Sequence, residues 1–465
     1  MITSLDSSVI DANSEAMGIG LPILMTNAAS AIVSVLESRF PGRRFAFVCG
    51  GGNNGGDGIV AGSMMDQRAV TIYLLGPKES IKSEFVRKTA GRLGCRVSDF
   101  SDFDGDGHDV LVDCALGTGV SGAVRPPYDS FIYAANRFRG PVVSVDIPSG
   151  LGTGLSVKPD ITITFHDIKA GMDSENSGEI IVKDIGIPKE ACENTGPGDM
   201  LRYPVSPKNS HKGSNGRLLI IGGGPYYGAP AMSALAAMRV GSDIVRLAVP
   251  ESCSSKIAVF SPVFMISELD GRHLRPDHAP EIEELSKGFD AILIGPGLGT
   301  SDETMETVRD LVSRLTIPAV VDADGLTALG KGFKSNGNTI LTPHIKEFGR
   351  LGGDMNGTED SVIRAAKRTK SVILLKGSTD LISDGERIIR NLTGSSGMTC
   401  AGTGDVLAGI VAGLLSKGMD PFHAAALGAF ISGKSGEFAF DERSYGMIAT
   451  DVIDNIPAVL KKYLR

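Results

Sequence analysis

The sequence predicts an α/β protein built from two three-layer α/β domains. Three observations carry that prediction. Short apolar, β-branched runs alternate with longer amphipathic ones through both halves of the chain. The 60 glycines fall singly or in small clusters after those runs, without a collagen period, as tight strand-to-helix turns require. The 465 residues exceed one ordinary core, and a stretch rich in Gly, Pro, Ser and Asn at 192–215 divides them.

In chain order, "NSEAMGIGLPILMTNAASAIVSVLESRF" reads as one or two helices covering a sheet. Strands are expected at 44–49, 70–75, 109–116, 141–147 and 161–165, separated by helical stretches such as "SEFVRKTAGRLG" and "YDSFIYAANRF". Strands alternating with helices imply βαβ units and a mostly parallel sheet. Beyond the divide a second series begins: "GRLLIIGGG", "DIVRLAVP", "DAILIGPGLG", "PAVVDADG" and "VILLKG". A hairpin follows in "DLISDGERIIRN", whose Asp384-Gly385 is a strong turn signal. The chain then closes with mostly helical sequence from Asp405 onward. The expected domains are 1–205 and 206–465.

Composition is that of a globular protein, with 42% hydrophobic and 22% charged residues. A net charge of -8 gives no footprint for nucleic acid, and the absence of Trp removes the best stacking platform. The six cysteines are scattered without a C-x-x-C pair, so free thiols in a reducing compartment are expected. No basic region followed by an apolar core opens the chain, and the most apolar window, 406–415, is too short to span a membrane. A cytoplasmic protein without nucleic-acid or membrane partners is the expectation.

The first chemical signal is "CGGGNNGGDGIVAG" at 49–62. Gly50, Gly52 and Gly55 satisfy the dinucleotide-binding pattern G-x-G-x-x-G. That fold usually places an acid at the end of the second strand to hold a ribose hydroxyl, and here the strand ends Leu74-Leu75-Gly76. The amides of the loop suit an anion, whereas Asn53, Asn54 and Asp57 add oxygens suited to a cation or sugar hydroxyls. The plain alternative is a turn in which Asn takes left-handed backbone and Asp57 caps the helix. Two more strand ends add Asp113 with the loop Gly117 to Ala123, and Asp146 with Ser149. Ligands of open parallel sheets bind beyond such carboxyl ends.

Together "CGGGNNGGDGIVA", "DCALGTGVSGA" and "VDIPSG" resemble the NAD(P)H-hydrate epimerase family across the N-terminal domain, which implies a Rossmann-like fold. By that resemblance Asn53, Asn54, Gly55, Gly56, Asp57, Gly117, Thr118, Gly119, Val120, Ser121, Gly122, Ala123 and Asp146 contact the hydrated nucleotide. Asn54, Asp113 and Ser149 ligate a potassium ion, and Asp146 is the candidate proton-transfer residue. Where similar proteins carry an acid in the helix of "LMTNAAS", this chain has Thr26.

In the C-terminal domain, Gly402-Thr403-Gly404 precedes Asp405 at the start of an apolar helix. Amides there can hold a phosphoryl group while Asp405 accepts a proton from an attacking hydroxyl; the alternative is a capping Asp after a Gly turn. The longer "AGTGDVLAG" resembles the ribokinase-like superfamily. With "GPGLG", "VDADG", "LTPHIKEFGRL" and "LLKGSTDLI" in that order, the domain resembles the ADP/ATP-dependent NAD(P)H-hydrate dehydratases. The resemblance implies that Ala229, Gly297, His344 and Asp405 line the hydrate site. Lys376, Gly377, Ser378, Thr379, Asp380, Ser395, Ser396, Gly397, Met398, Thr399, Cys400, Ala401, Gly402, Thr403 and Gly404 would then bind the nucleotide. A packed or capping His344 is the bland alternative. Gly394-Ser395-Ser396 and Ile345-Lys346 depart from the family pattern near the nucleotide.

The implied activity is repair of hydrated NADH or NADPH. One half epimerises the R and S hydrates. The other dehydrates the S form at the expense of ADP or ATP, with magnesium, releasing AMP or ADP and phosphate. A homo-oligomer is expected. The rival reading is a C-terminal sugar or vitamin kinase with a non-catalytic N-terminal nucleotide-binding module.

Overall fold

The structure, a computed structural model, describes residues 1–119 and 122–464. Two compact units divide it, Met1–Ala191 and Cys192–Arg465. The division falls at the start of the polar stretch, before the expected boundary after residue 205. Residues beyond 191 are tied into the second unit: Thr195 Oγ1 donates to Asn391 Oδ1 at 2.8 Å, and Met200 joins its core.

The first unit is built on seven strands: β1 (Phe45–Cys49), β2 (Val70–Leu74), β3 (Arg96–Asp99), β4 (Val110–Cys114), β5 (Val142–Val145), β6 (Ile161–Phe165) and β7 (Glu179–Lys183). They lie in the order β3-β2-β1-β4-β5-β6-β7, all parallel. Because β1 is covered on both faces, every one of its residues is buried, as parallel strands between helical layers must be. Phe45, Phe47 and Cys49 pack toward the helices Leu21–Arg39 and Asn53–Met64, whereas Ala46 and Val48 pack toward Tyr128–Ala135. The expected N-terminal helices are two, Ser4–Ala16 and Leu21–Arg39. The latter is long and apolar enough to cross a bilayer, but seven of its residues, from Leu24 to Leu36, are buried in this unit.

The second unit carries β8 (Arg217–Ile221), β9 (Ile244–Pro250), β10 (Met265–Leu269), β11 (Ala291–Ile294), β12 (Ala319–Val321), β13 (Thr339–Leu341), β14 (Val372–Leu375), β15 (Asp380–Ser383) and β16 (Ile388–Asn391). Their order is β10-β9-β8-β11-β12-β13-β14-β15-β16. Pairing is parallel up to β14 and antiparallel through the β15–β16 hairpin, which turns on Asp384-Gly385 as expected. Leu218 and Ile220 face the helices Gly228–Arg239, Thr403–Ser416, Pro421–Arg443 and Ala449–Tyr463. Leu219 and Ile221 face Asp302–Arg314 and Glu359–Thr369. The apolar window 406–415 is wholly buried in the helix Thr403–Ser416, the central element of the first of these layers.

Candidate functional site

In the first unit, the loop after β1 enters the helix Asn53–Met64, whose N-cap is Gly52. Asn53 and Asn54 are therefore helical and neither takes left-handed backbone, while Asp57 sits one turn in, too far along to cap. The turn-and-cap reading of these residues is excluded. The glycines serve packing. A Cβ on Gly55 would lie 1.8 Å from the Gly50 carbonyl oxygen, and one on Gly56 would lie 2.7 Å from the Met25 Cε.

A cavity of ≈ 660 Å³ opens over these strand ends. Asn53, Asn54, Asp57, Gly117, Thr118, Gly119 and Asp146 line it. Gly55 and Gly56 lie behind its wall, Gly122 and Ala123 are not on it, and Val120 and Ser121 fall outside the described residues.

Asp113 and Ser149 are fully buried beneath the cavity floor. Asp113 accepts from Ser149 N (2.9 Å), Ser149 Oγ (2.5 Å), Ser144 Oγ (2.8 Å) and Ala115 N (3.2 Å). Burial still pushes its carboxyl up, against those donors. Asn54 Nδ2 donates to Leu116 O at 2.9 Å, but Asn54 Oδ1 is buried without a partner among the described residues.

Two residues enter this site unannounced by the motifs. Lys169, on the segment after β6, is paired with Asp146 at 2.9 Å. It also donates to Phe165 O at 2.8 Å and Thr164 Oγ1 at 3.1 Å. Asp146 itself has φ 65, left-handed backbone that a non-glycine residue adopts only when its surroundings impose it. Asp11, from the helix Ser4–Ala16, lines the cavity too. Loss of solvation and the charge of Asp146 push its carboxyl up to about 6, partly offset by Lys169. Asp57 rises well above the carboxylate range, through burial first and then through Asp146 and Asp11. Thr26 turns back on its own helix, donating to Pro22 O at 2.7 Å.

In the second unit, Gly402 in left-handed backbone (φ 97) is the N-cap of the helix Thr403–Ser416 and Asp405 lies in its first turn. Asp405 is not the cap. Thr403 Oγ1 pins the preceding loop by donating to Met398 O (2.8 Å) and Cys400 O (3.1 Å). Lys376, at the end of β14, reaches the same helix end: its Nζ lies 3.5 Å from where a Cβ on Gly404 would stand. It also donates to Asp322 Oδ1 at 2.8 Å, and Thr342 Oγ1 donates to that oxygen at 2.8 Å. Loss of solvation pushes the Lys376 amine down, yet Asp322, Glu347 and Asp405 outweigh it and hold the amine above the ordinary lysine range. Asp405 is pushed up to about 7 by burial and by Asp322, with Lys376 opposing.

The other expected residues have neighbours of their own. Gly297 (φ 71) is so close to the Tyr226 carbonyl oxygen that a Cβ would lie 2.0 Å from it. Ala229 opens the helix Gly228–Arg239, and Ser233 of that helix donates to Asp405 O at 2.9 Å. His344 does cap its helix: Nδ1 accepts from Lys346 N (3.1 Å) and Glu347 N (3.3 Å). Its side chain remains half exposed, with Nε2 3.6 Å from Glu347 Oε1. Asp380 is tied into the hairpin, accepting from Gly377 N (3.0 Å) and Asn391 Nδ2 (2.9 Å); Ser378 between them is exposed. Ser395 and Ser396 reach Met447 Sδ and the Tyr445 hydroxyl, at 3.9 and 3.3 Å, and Gly397 is packed against Met447 and Phe440. Thr399 and Ala401 are exposed, and Cys400 is partly buried and unpaired. Asp322 and Asp324 were legible only as parts of "VDADG"; Asp324 Oδ2 accepts from Gly299 N at 2.8 Å.

Comparison with known proteins covers both units. A family model described as NAD(P)H-hydrate dehydratase matches residues 218–458, and one described as YjeF-related protein N-terminus matches residues 22–171. The bifunctional NAD(P)H-hydrate repair enzyme Nnr of Hyperthermus butylicus is 40% identical, over 99% of this chain and 92% of its own length. That of Archaeoglobus fulgidus is 38% identical, over 99% and 98%. Among solved structures, the ADP/ATP-dependent NAD(P)H-hydrate dehydratase of Bacillus subtilis, co-crystallised with ATP and Mg2+, is 27% identical with a TM-score of 0.52. It covers 58% of this chain and 98% of that one.

Proposed function

The chain belongs to the bifunctional NAD(P)H-hydrate repair enzymes, and from that premise we propose how its two units divide the work. The first interconverts the R and S hydrates of NADH or NADPH. The second dehydrates the S form to NAD(P)H at the expense of ADP or ATP, releasing AMP or ADP and phosphate.

The observation that carries the second activity is Asp405, pushed up to about 7 beside Lys376 at a helix N-terminus. Hydroxide is a poor leaving group, so the hydrate hydroxyl is phosphorylated first. Asp405 takes the hydroxyl proton, with a pKa placed near working pH. The amides at Gly402 to Gly404 and the Lys376 ammonium stabilise the charge of the transferring phosphoryl group. Phosphate then leaves as the ring nitrogen's electron pair restores the reduced ring. Lys376 to Asp380 and Ser395 to Gly404 hold the nucleotide, while Ala229, Gly297 and His344 Nε2 face the hydrate. Among the described residues no cluster of His, Cys, Asp or Glu forms a metal set of its own. Magnesium held by the nucleotide's phosphates would neutralise their charge.

In the first unit, Asn53, Asn54, Asp57, the loop Gly117 to Ala123 and Asp146 hold the hydrate. Asn54 Oδ1, Asp113 and Ser149 fit a potassium ion, because a buried carbonyl oxygen without a donor is costly and suits a hard cation. Bound there, the ion would offset Asp113 and fix the loop. The unpaired state of all six cysteines supports a reducing compartment, the cytoplasm. A homo-oligomer stays part of the reading.

Incubating the full chain with mixed hydrate epimers and ADP or ATP tests it. Complete conversion to NAD(P)H, faster than spontaneous epimerisation, is expected. Stalling after one epimer would leave only the dehydratase, and accumulation of a phosphorylated acceptor would point to a kinase.

A further inference from the structure

The cavity of the first unit holds more acids than binding a hydrate needs. Asp11 and Asp57 join Asp146 on its wall, and among the described residues no donor or cation is bonded to the carboxylates of Asp11 and Asp57. Only Asp146 has a cation in contact, Lys169 at 2.9 Å. The three carboxyls are thus inequivalent: one is paired with a lysine, and two face the cavity without such a partner. Asp11 is also deliberately placed. Ile2, just before its helix, pairs in parallel with Lys169, donating from its N to Ile168 O (3.0 Å) and accepting from Ala170 N (2.8 Å). The chain that bears Asp11 is stitched to the segment that bears Lys169.

We infer that Asp11 is a catalytic acid–base residue of hydrate epimerisation, carrying the proton to and from the hydroxyl while the Asp146–Lys169 pair faces the ring. The inference rests on the epimerase reading of this unit. The hydrate's hydroxyl is on a ring carbon bonded to the ring nitrogen. The Asp11 carboxyl gives its proton to that hydroxyl, and the C–O bond breaks with its electrons going to oxygen, which leaves as water. The nitrogen lone pair forms a C=N double bond, and the resulting positive charge faces the Asp146 carboxylate. Water then adds to the opposite face, and the proton it loses passes through solvent in the cavity back to Asp11. Nothing is oxidised or reduced, and the catalyst is regenerated. An acid-lined cavity suits a cationic intermediate, and general acid–base catalysis by one group supplies roughly 10²–10⁴-fold.

The test uses the full-length protein and one purified hydrate epimer, with spontaneous epimerisation subtracted. Asp11→Asn is expected to lower epimerisation kcat by ~10²-fold or more with KM and thermal midpoint nearly unchanged, and Asp11→Glu to recover part of it. In H2 18O, wild-type epimerisation is expected to place 18O in the inverted hydrate. The wild-type rate should fall as pH rises through about 6, and this limb should vanish in Asp11→Asn. Asp57, Asp146, Lys169, Lys82 and His166 share the cavity wall, so the limb must be followed by substitution. An Asp11→Asn enzyme with undiminished kcat, inversion without label, or a limb that persists in Asp11→Asn and is lost in Asp57→Asn overturns the proposal. Wild type that does not epimerise at all overturns instead the reading beneath it.

Discussion

Lys376 Nζ donates to Asp322 Oδ1 at 2.8 Å, and of the two partners Asp322 is the more deeply buried. On the proposed reading the lysine is a phosphoryl-binding cation, and it is also the one side-chain cation among the described residues in contact with this carboxylate. Removing it should expose both roles at once. Lys376→Met is expected to lower stability by about 3 kcal/mol, because a buried carboxylate is left unpaired, and to abolish dehydratase turnover. Adding Asp322→Asn should restore the thermal midpoint without restoring turnover. Recovery of activity in the double variant would show that the lysine acts only structurally.

Asp405 makes a prediction in pH. Acting as a base it must be ionised, and burial has moved its titration up to about 7. Dehydratase kcat should therefore fall as pH drops through about 7. Asp405→Asn should cost ~10²-fold or more in turnover. The same shift has a stability consequence of opposite sense. A carboxyl whose folded pKa is raised favours the protonated fold, so its contribution is present at low pH and lost as pH rises toward 7 and above. Asp405→Asn should accordingly raise the thermal midpoint at pH 8, an expected trade between activity and stability that differential scanning would measure.

The unpartnered Asn54 oxygen gives a readout independent of catalysis. Potassium chloride should raise the unfolding temperature of the first unit more than sodium chloride at equal ionic strength, since a ligand of the folded state stabilises it by mass action. Asn54→Ala should erase that difference. Equal effects of the two salts on wild type would remove the potassium site.

Glycines of the first loop separate by packing. A Cβ on Gly55 meets the Gly50 carbonyl at 1.8 Å, whereas one on Gly52 meets nothing within 4 Å. Gly55→Ala should cost roughly 1–3 kcal/mol by overpacking, and Gly52→Ala should leave the denaturation midpoint almost unmoved.

What the sequence made legible follows from burial. Strands covered on both faces, such as β1 and β8, are continuous apolar runs and stand out. Those missed are chiefly edge strands: Arg96–Asp99, Glu179–Lys183 and Met265–Leu269 have exposed or half-buried residues along most of their length. At an edge, one side of the strand faces solvent and polar residues interrupt the run. The site residues divide in the same way. Asn54, Asp113, Asp146 and Asp405 lie in or beside glycine-marked stretches and are visible locally. Asp11 lies on a helix with no motif, and its place against Asp146 exists only after the sheet has formed. Lys169 is an intermediate case, since "TFHDIKAG" follows a strand end and the rule that found Asp146 applies to it equally. The fate of His344 was the reverse: the capping alternative proved to describe its Nδ1.

The pairing of Ile2 with Lys169 also orders events in time. During synthesis the first residues emerge long before their partner segment after β6 exists, so the helix that bears Asp11 has no docking place while most of the sheet is made. Its contacts are among the least local in the unit and are the last for which loop-closure entropy is offset. A nascent or partly folded first unit would therefore have its sheet and its glycine loop before it has a closed cavity wall, and the capacity to bind would precede the capacity to turn over.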